Sequence, residues 1–203
     1  VSWPELLAHP DVTETATIDG PVGLMAFHAG LESGTLEIAT AAAAASGSSL
    51  YTVCQPADLR WHVPSAEVDP GQAPALAAWL AHVERAIAVH GYGRRTRPWD
   101  VLVGGADRAR VGEVADGLRS ALPGLRIVDD PDDIPTGLHG RHPRNPVNRP
   151  RRGGVQVELP IRARLGPVAD EVATALAAVA SRWAAGTDGA PGGVTVPGPP
   201  PPR

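Results

Sequence analysis

The chain has 203 residues, is 43% hydrophobic and carries a formal net charge of -4. That is enough chain for one sizeable core, with too few charges for a charge-rich disordered protein and no basic excess for a nucleic-acid binder. A single cysteine, Cys54, excludes an internal disulfide framework and any CxxC metal or redox site, and the absence of lysine excludes Schiff-base and P-loop chemistry.

In chain order, the acids and missing basic-apolar pattern of Val1 to Gly20 give no secretory signal, and no apolar run reaches the roughly 20 residues of a membrane span. A cytoplasmic location without membrane contact is the expectation. Val22 to His28 is a continuous apolar run ending in histidine, the pattern of a buried strand. Leu36 to Ser46 is alanine-rich and helical, with Ser33 or Thr35 as its cap. Leu50 to Cys54 is a second strand. Pro74 to Arg85 spaces Leu76, Trp79, Leu80 and Val83 along one helical face.

Ala86 to His90 is another strand that ends in histidine, followed by a strand over Trp99 to Val103. Asp107 caps a helix bearing Val111, Val114, Leu118 and Leu122. Arg126 to Val128 and Val155 to Leu159 are the remaining strands, and Val168, Val172, Leu176, Val179 and Trp183 mark a long closing helix. Strands alternating with helices predict an α/β fold: a mixed, largely parallel sheet with helices on both faces. Residues 1–185 are read as one domain and 186–203, rich in glycine and proline, as a disordered tail.

Reactive groups in open α/β sheets sit beyond the carboxyl ends of strands. His28 and His90 occupy such ends, and Glu158 interrupts the apolar run Val155 to Leu159, where burying a carboxylate is costly without a compensating charge. A glycine-containing turn after His28 can swing Glu32 back beside it. His28, Glu32 and His90 then supply two nitrogens and a carboxylate oxygen, the ligand set of a catalytic zinc. By spacing alone the alternative stands open, a strand-end histidine bonded to backbone and a solvated loop acid.

The segments Phe27-His28-Ala29-Gly30-Leu31-Glu32-Ser33-Gly34-Thr35, His90-Gly91-Tyr92-Gly93 and Gly153-Gly154-Val155-Gln156-Val157-Glu158-Leu159 occur in the order seen in the poly-gamma-glutamate hydrolase family. Gln55-Pro56, Leu59-Arg60-Trp61-His62-Val63-Pro64-Ser65 and Asn145-Pro146-Val147-Asn148-Arg149 also resemble its members, so the similarity runs from about Leu6 to Leu159. The resemblance implies a pared-down, zinc carboxypeptidase-like fold. It implies zinc on His28, Glu32 and His90, with Glu158 as general base. Two departures accompany it. Three residues separate His28 from Glu32 where carboxypeptidases have two, and Ala29 replaces a usual glycine, which matters if that position needs φ > 0.

A γ-linked glutamate polymer, the implied partner, presents a free α-carboxylate on every unit, and guanidinium forks match carboxylates. Arg141, Arg144, Arg149, Arg151 and Arg152 lie together without an acid among them. Asn148 and Arg149 are the expected carboxylate clamp, Tyr92 a further substrate contact, and Arg60 the oxyanion stabiliser or a second carboxylate contact. For Arg141, Arg151 and Arg152 a solvated basic loop paired with the acidic stretch Asp129 to Asp133 is an equal reading. Two other functions fit the same residues: a zinc amidohydrolase or deacylase acting on a small N-acyl amino acid or cell-wall fragment, and a non-catalytic binder of acidic polymer. Oligomeric state is not legible.

Overall fold

The computed structural model describes residues 1–186, so the tail expected over 186–203 lies outside the described residues save its first glycine. The chain forms α1 (Trp3–Leu7), β1 (Thr13–Thr17), β2 (Gly20–Ala29), α2 (Thr35–Ser46), β3 (Ser48–Cys54), α3 (Pro74–His82) and β4 (Arg85–Tyr92). It continues through β5 (Asp100–Gly104), α4 (Arg108–Ala121), β6 (Arg126–Val128), β7 (Gly154–Pro160), α5 (Ile161–Arg164) and α6 (Pro167–Ala184). Among the described residues, no helix is long and apolar enough to cross a membrane.

One seven-stranded sheet runs β1-β3-β2-β4-β7-β5-β6. Its four central strands are parallel, and antiparallel pairing enters where β1 joins β3 and where β5 joins β7. This is the mixed α/β architecture read from the sequence. From β2 the chain steps to β3 on one side, then crosses back over to β4 on the other. The carboxyl ends of β2 and β4 therefore flank a topological switch point, where open α/β sheets leave a crevice.

The sheet divides two cores. Leu24 and Ala26 of β2, Ile87 and Val89 of β4 and Val155, Val157 and Leu159 of β7 face α2, α4 and α6. Met25, Phe27, Ala86 and Ala88 face the other way, onto Trp3, Leu76 and Trp79 of α1 and α3. Strict alternation would send His28 to the first core. Instead the register against β3 shifts between Ala26 and Ala29, a bulge that turns Phe27 and His28 to the same side before Ala29 rejoins the first core. The bulge puts His28 on the face that His90 occupies.

Several boundaries differ from the sequence reading. Helix α3 stops at His82: Val83 is extended and the Glu84 N–H donates to the Pro21 carbonyl at 2.7 Å, so Arg85 opens β4. Helix α2 is entered through Gly34 at φ +89° with no side-chain cap, and the Thr35 hydroxyl donates back to the Glu32 carbonyl at 2.8 Å. Strand β1 escaped notice because four of its five residues are exposed and it carries no apolar alternation. Asp107 caps α4 as expected, accepting from Ala109 and Arg110.

The turn to Glu32 settles the question of Ala29. Ala29 is a fully buried strand residue, and the left-handed position is Gly30 at φ +83°, where a Cβ would stand 1.8 Å from the Gln55 carbonyl oxygen. Gly30→Ala is expected to lower unfolding stability by on the order of 3 kcal/mol, whereas Ala29→Gly costs about 1 kcal/mol and restores nothing, as measured by urea unfolding of the two variants.

Candidate active site

His28, Glu32 and His90 meet at the switch point. The His28 Nε2 lies 2.9 Å from the Val63 carbonyl. A carbonyl only accepts, so Nε2 carries a proton, and the other ring nitrogen, Nδ1, faces Glu32 Oε1 3.1 Å away. The other oxygen, Oε2, lies 3.4 Å from His90 Nδ1 and accepts from the Gly91 N–H at 2.8 Å. The imidazoles stack edge to face, with ring centroids 4.9 Å apart, and both touch Phe27. Burial works against ionising Glu32, but the two imidazoles, by charge and by hydrogen bond, outweigh it and hold the carboxyl well below the usual range.

Ligand atoms from the three residues all lie within 4.8 Å of one another, a group that could hold a metal ion. The residues present fit a divalent cation. Val63 occupies Nε2 of His28 and leaves its Nδ1 facing the group, Glu32 is held ionised, and His90 Nε2 is buried with no partner among the described residues.

Glu158 faces the same cleft. It pairs in register with His90 across β4 and β7 and is 5% exposed. Burial pushes its carboxyl up to about 7, against the pull of His90, Gln156 and Arg164. A chain of buried amides fixes its orientation. The Val147 N–H donates to Asn145 Oδ1 at 3.2 Å, so Nδ2 is the Asn145 donor and meets Gln156 Oε1 at 2.7 Å. That leaves the Gln156 amide nitrogen to donate to Glu158 Oε1 at 2.8 Å. The polarity of the whole chain descends from one backbone N–H. Oε1 is thereby committed as an acceptor, and a proton taken up by Glu158 goes to Oε2.

The cleft, about 930 Å³, is bordered by Arg60, Arg141, His62 and His139 and floored by Arg164. Arg60 is exposed and is the one non-glycine residue at positive φ (50°) among the described residues. The buried Gln55 amide grips both the N–H and the carbonyl of Trp61, fixing the backbone that follows it. Tyr92 lines the cleft, but its hydroxyl lies 2.5 Å from the Asp100 carbonyl and 2.8 Å from that of Arg97.

Asn148 and Arg149 are not brought to the cleft. The Asn148 amide donates to the carbonyls of Gly140 and His142, holding the loop that forms the cleft wall, and Arg149 borders a separate depression with Leu80, Glu84 and Arg151. The basic and acidic stretches do not pair with each other either. Arg151 and Arg152 engage Glu84, while Asp129 engages Arg119 and, through its carbonyl, Arg108. Sequence reasoning passed over Arg164, Asn145 and the orienting role of Gln156. The one available signal was that Asn145 and Gln156 lie inside the quoted family-like segments.

A family model described as poly-gamma-glutamate hydrolase matches residues 5–170. Among solved structures, the bacteriophage poly-gamma-glutamate hydrolase superposes with a TM-score of 0.70 at 21% identity, over 85% of this chain and 89% of that one. A structure described as zinc-free apo-YNDL gives 0.68 at 23% identity, over 83% and 89%. The N-acetylmuramoyl-L-alanine amidase AmiC2 of Nostoc punctiforme gives 0.52 at 14% identity, over 80% and 95%. These likenesses are of fold. No curated protein sequence matches.

The raised Glu158 carboxyl has a consequence for stability. Its folded value of about 7 lies above the 4.5 of an unperturbed glutamate, so between these pH values the native state holds a proton that the unfolded chain has released. Stability therefore falls as pH rises from about 4.5 to about 7 and stays lower above that. In chelator-treated protein, Glu158→Gln is expected to be the more stable form at pH 8 by a few kcal/mol, with the advantage gone at pH 4; urea unfolding at the two pH values checks it.

Proposed function

The chain belongs to the poly-gamma-glutamate hydrolase family, and from that premise we propose that it cleaves the γ-glutamyl amide bonds of poly-gamma-glutamate, with zinc on His28, Glu32 and His90 and with Glu158 as general base. The observation that carries the reading is a buried carboxyl, held by the Gln156 amide, in register one strand away from the second histidine of a His–Glu–His group. A zinc ion bound by that group supplies Lewis acidity to the scissile carbonyl and to a water.

The protein's own groups do the rest. Glu158 takes the water's proton on Oε2, the oxygen that Gln156 leaves free, and returns it to the leaving nitrogen. Burial raises that carboxyl's affinity for a proton above a free glutamate's, which favours its taking one from water. Val63 holds Nε2 of His28, and the Gly91 N–H fixes the carboxylate of Glu32. Arg60, held left-handed at the rim, offers its cation to an entering carboxylate. A non-catalytic polymer binder has no use for a buried carboxyl oriented by two amide side chains in series.

Chelation is expected to abolish hydrolysis and zinc to restore it, with released glutamate oligomers as the readout. Glu158→Gln lowers kcat by roughly 1000-fold while metal analysis still finds one zinc per chain; retained turnover refutes the base. His90→Ala loses the zinc. The amide chain carries its own test. Asn145→Asp replaces the donor to Gln156 by an acceptor, which turns the Gln156 carbonyl toward Glu158, so it lowers kcat more than Asn145→Ala does. Equal losses in the two variants count against the orienting role.

A further inference from the structure

Arg164 follows β7 on the short helix α5 and is 8% exposed, a guanidinium sunk into the cleft floor. Its Nε donates to the Leu159 carbonyl at 3.2 Å and Nη1 to the Ser33 carbonyl. The planar group lies on Gly91, where a Cβ would stand 2.6 Å from Cζ. Ser33, Gly91 and Leu159 are the residues immediately after Glu32, His90 and Glu158. One side chain thus touches the chain directly beyond both metal-binding acid and histidine and beyond the base.

Tying three turns together needs hydrogen-bond donors, not a buried cation. Yet Arg164 takes part in no ion pair among the described residues, and its Nη2 has no partner there, although Glu32 and Glu158 both act on its charge. A desolvated guanidinium left in this state is expensive unless an anion completes it.

The chemistry of the substrate supplies that anion at the right place. In a γ-linked glutamate chain the carbon bearing the leaving nitrogen also bears the free α-carboxylate, which covalent geometry holds within about 4 Å of the scissile carbonyl carbon. In an α-linked peptide that position holds another amide, except at the chain end. We infer that Arg164 is the binding group for the α-carboxylate of the leaving unit, and so selects γ-linked over internal α-linked amides. The assignment rests on the reading of the cleft as an amide-hydrolysing site. A charge-assisted fork gives roughly a 10- to 100-fold preference.

The test pairs the residue with the group it binds. Wild type, Arg164→Gln and Arg164→Lys are assayed on a γ-glutamyl trimer and on the same trimer with its α-carboxyl groups converted to methyl amides. Wild type is expected to prefer the free acid by more than 10-fold in kcat/KM. Arg164→Gln loses most of that preference, its kcat/KM falling at least tenfold further on the free acid than on the neutral trimer. Arg164→Lys, a point charge without the fork, keeps an intermediate preference. Equal losses on both trimers, or an unchanged preference in either variant, overturn the assignment. If Arg164→Gln does not fold, the lysine variant decides alone. Calorimetric binding of both trimers to Glu158→Gln protein, with and without Arg164→Lys, separates the two readings. Binding that depends on Arg164 without any turnover by wild type sinks only the enzymatic reading. Turnover indifferent to the α-carboxyl sinks only this one.

Discussion

The Glu32 carboxylate holds the cleft together. Its two oxygens reach one imidazole from each of two parallel strands and the N–H that follows the second imidazole. None of these strands' ends would sit naturally in that arrangement. The bulge has to rotate His28 out of alternation, Gly30 has to bend the chain in a left-handed turn against Gln55, and Gly91 has to remain bare for the guanidinium above it. Each of these local departures from regular strand and turn geometry is costly by itself. They persist together because a carboxylate desolvated between two imidazoles is far more costly to leave unpartnered.

The same floor holds groups that work against the stability of the fold. Glu158 is buried where its charge is poorly solvated, and Arg164 is buried with only backbone oxygens as hydrogen-bond acceptors. An amide chain that delivers a single hydrogen bond to Glu158 is as much as the protein provides. Stability forgone at a site in this way is the ordinary cost of preorganising charge for chemistry.

Most strands and long helices were legible because their signals are local: unbroken apolar runs between turns, a 3.6-residue stripe, an aspartate at a helix start. His28, His90 and Glu158 could be picked out for the same reason, as polar residues where apolar ones belong. What was not legible is orientation. Alternation assigns His28 to the wrong face, and only the pairing with β3 reveals the bulge. Arg164 carries no local signal, because the three turns it touches come together only in the fold. Of the clamp expected at Asn148 and Arg149, the first binds backbone carbonyls behind the cleft wall and the second borders a separate depression. Proline at 146 starts a short 3₁₀ turn that sends Asn145 inward and Arg149 outward, a reversal that spacing along the chain does not announce.

Charge gives a similar lesson about where information resides. The chain is acidic overall, which argues against a polyanionic ligand. Several of its acids, however, lie away from the cleft and are paired there: Glu84 with Arg151 and Arg152, Glu113 with Arg110, Asp116 and Asp129 with Arg119, Asp100 with Arg97 and Arg126. Among the described residues, the arginines of the cleft, Arg60, Arg141 and Arg164, have no such partners. The local field at the mouth is therefore set by guanidinium groups without acidic partners, and the net charge by acids lying elsewhere on the chain. At physiological ionic strength, with a screening length of about 8 Å, an approaching carboxylate responds to the first and scarcely to the second.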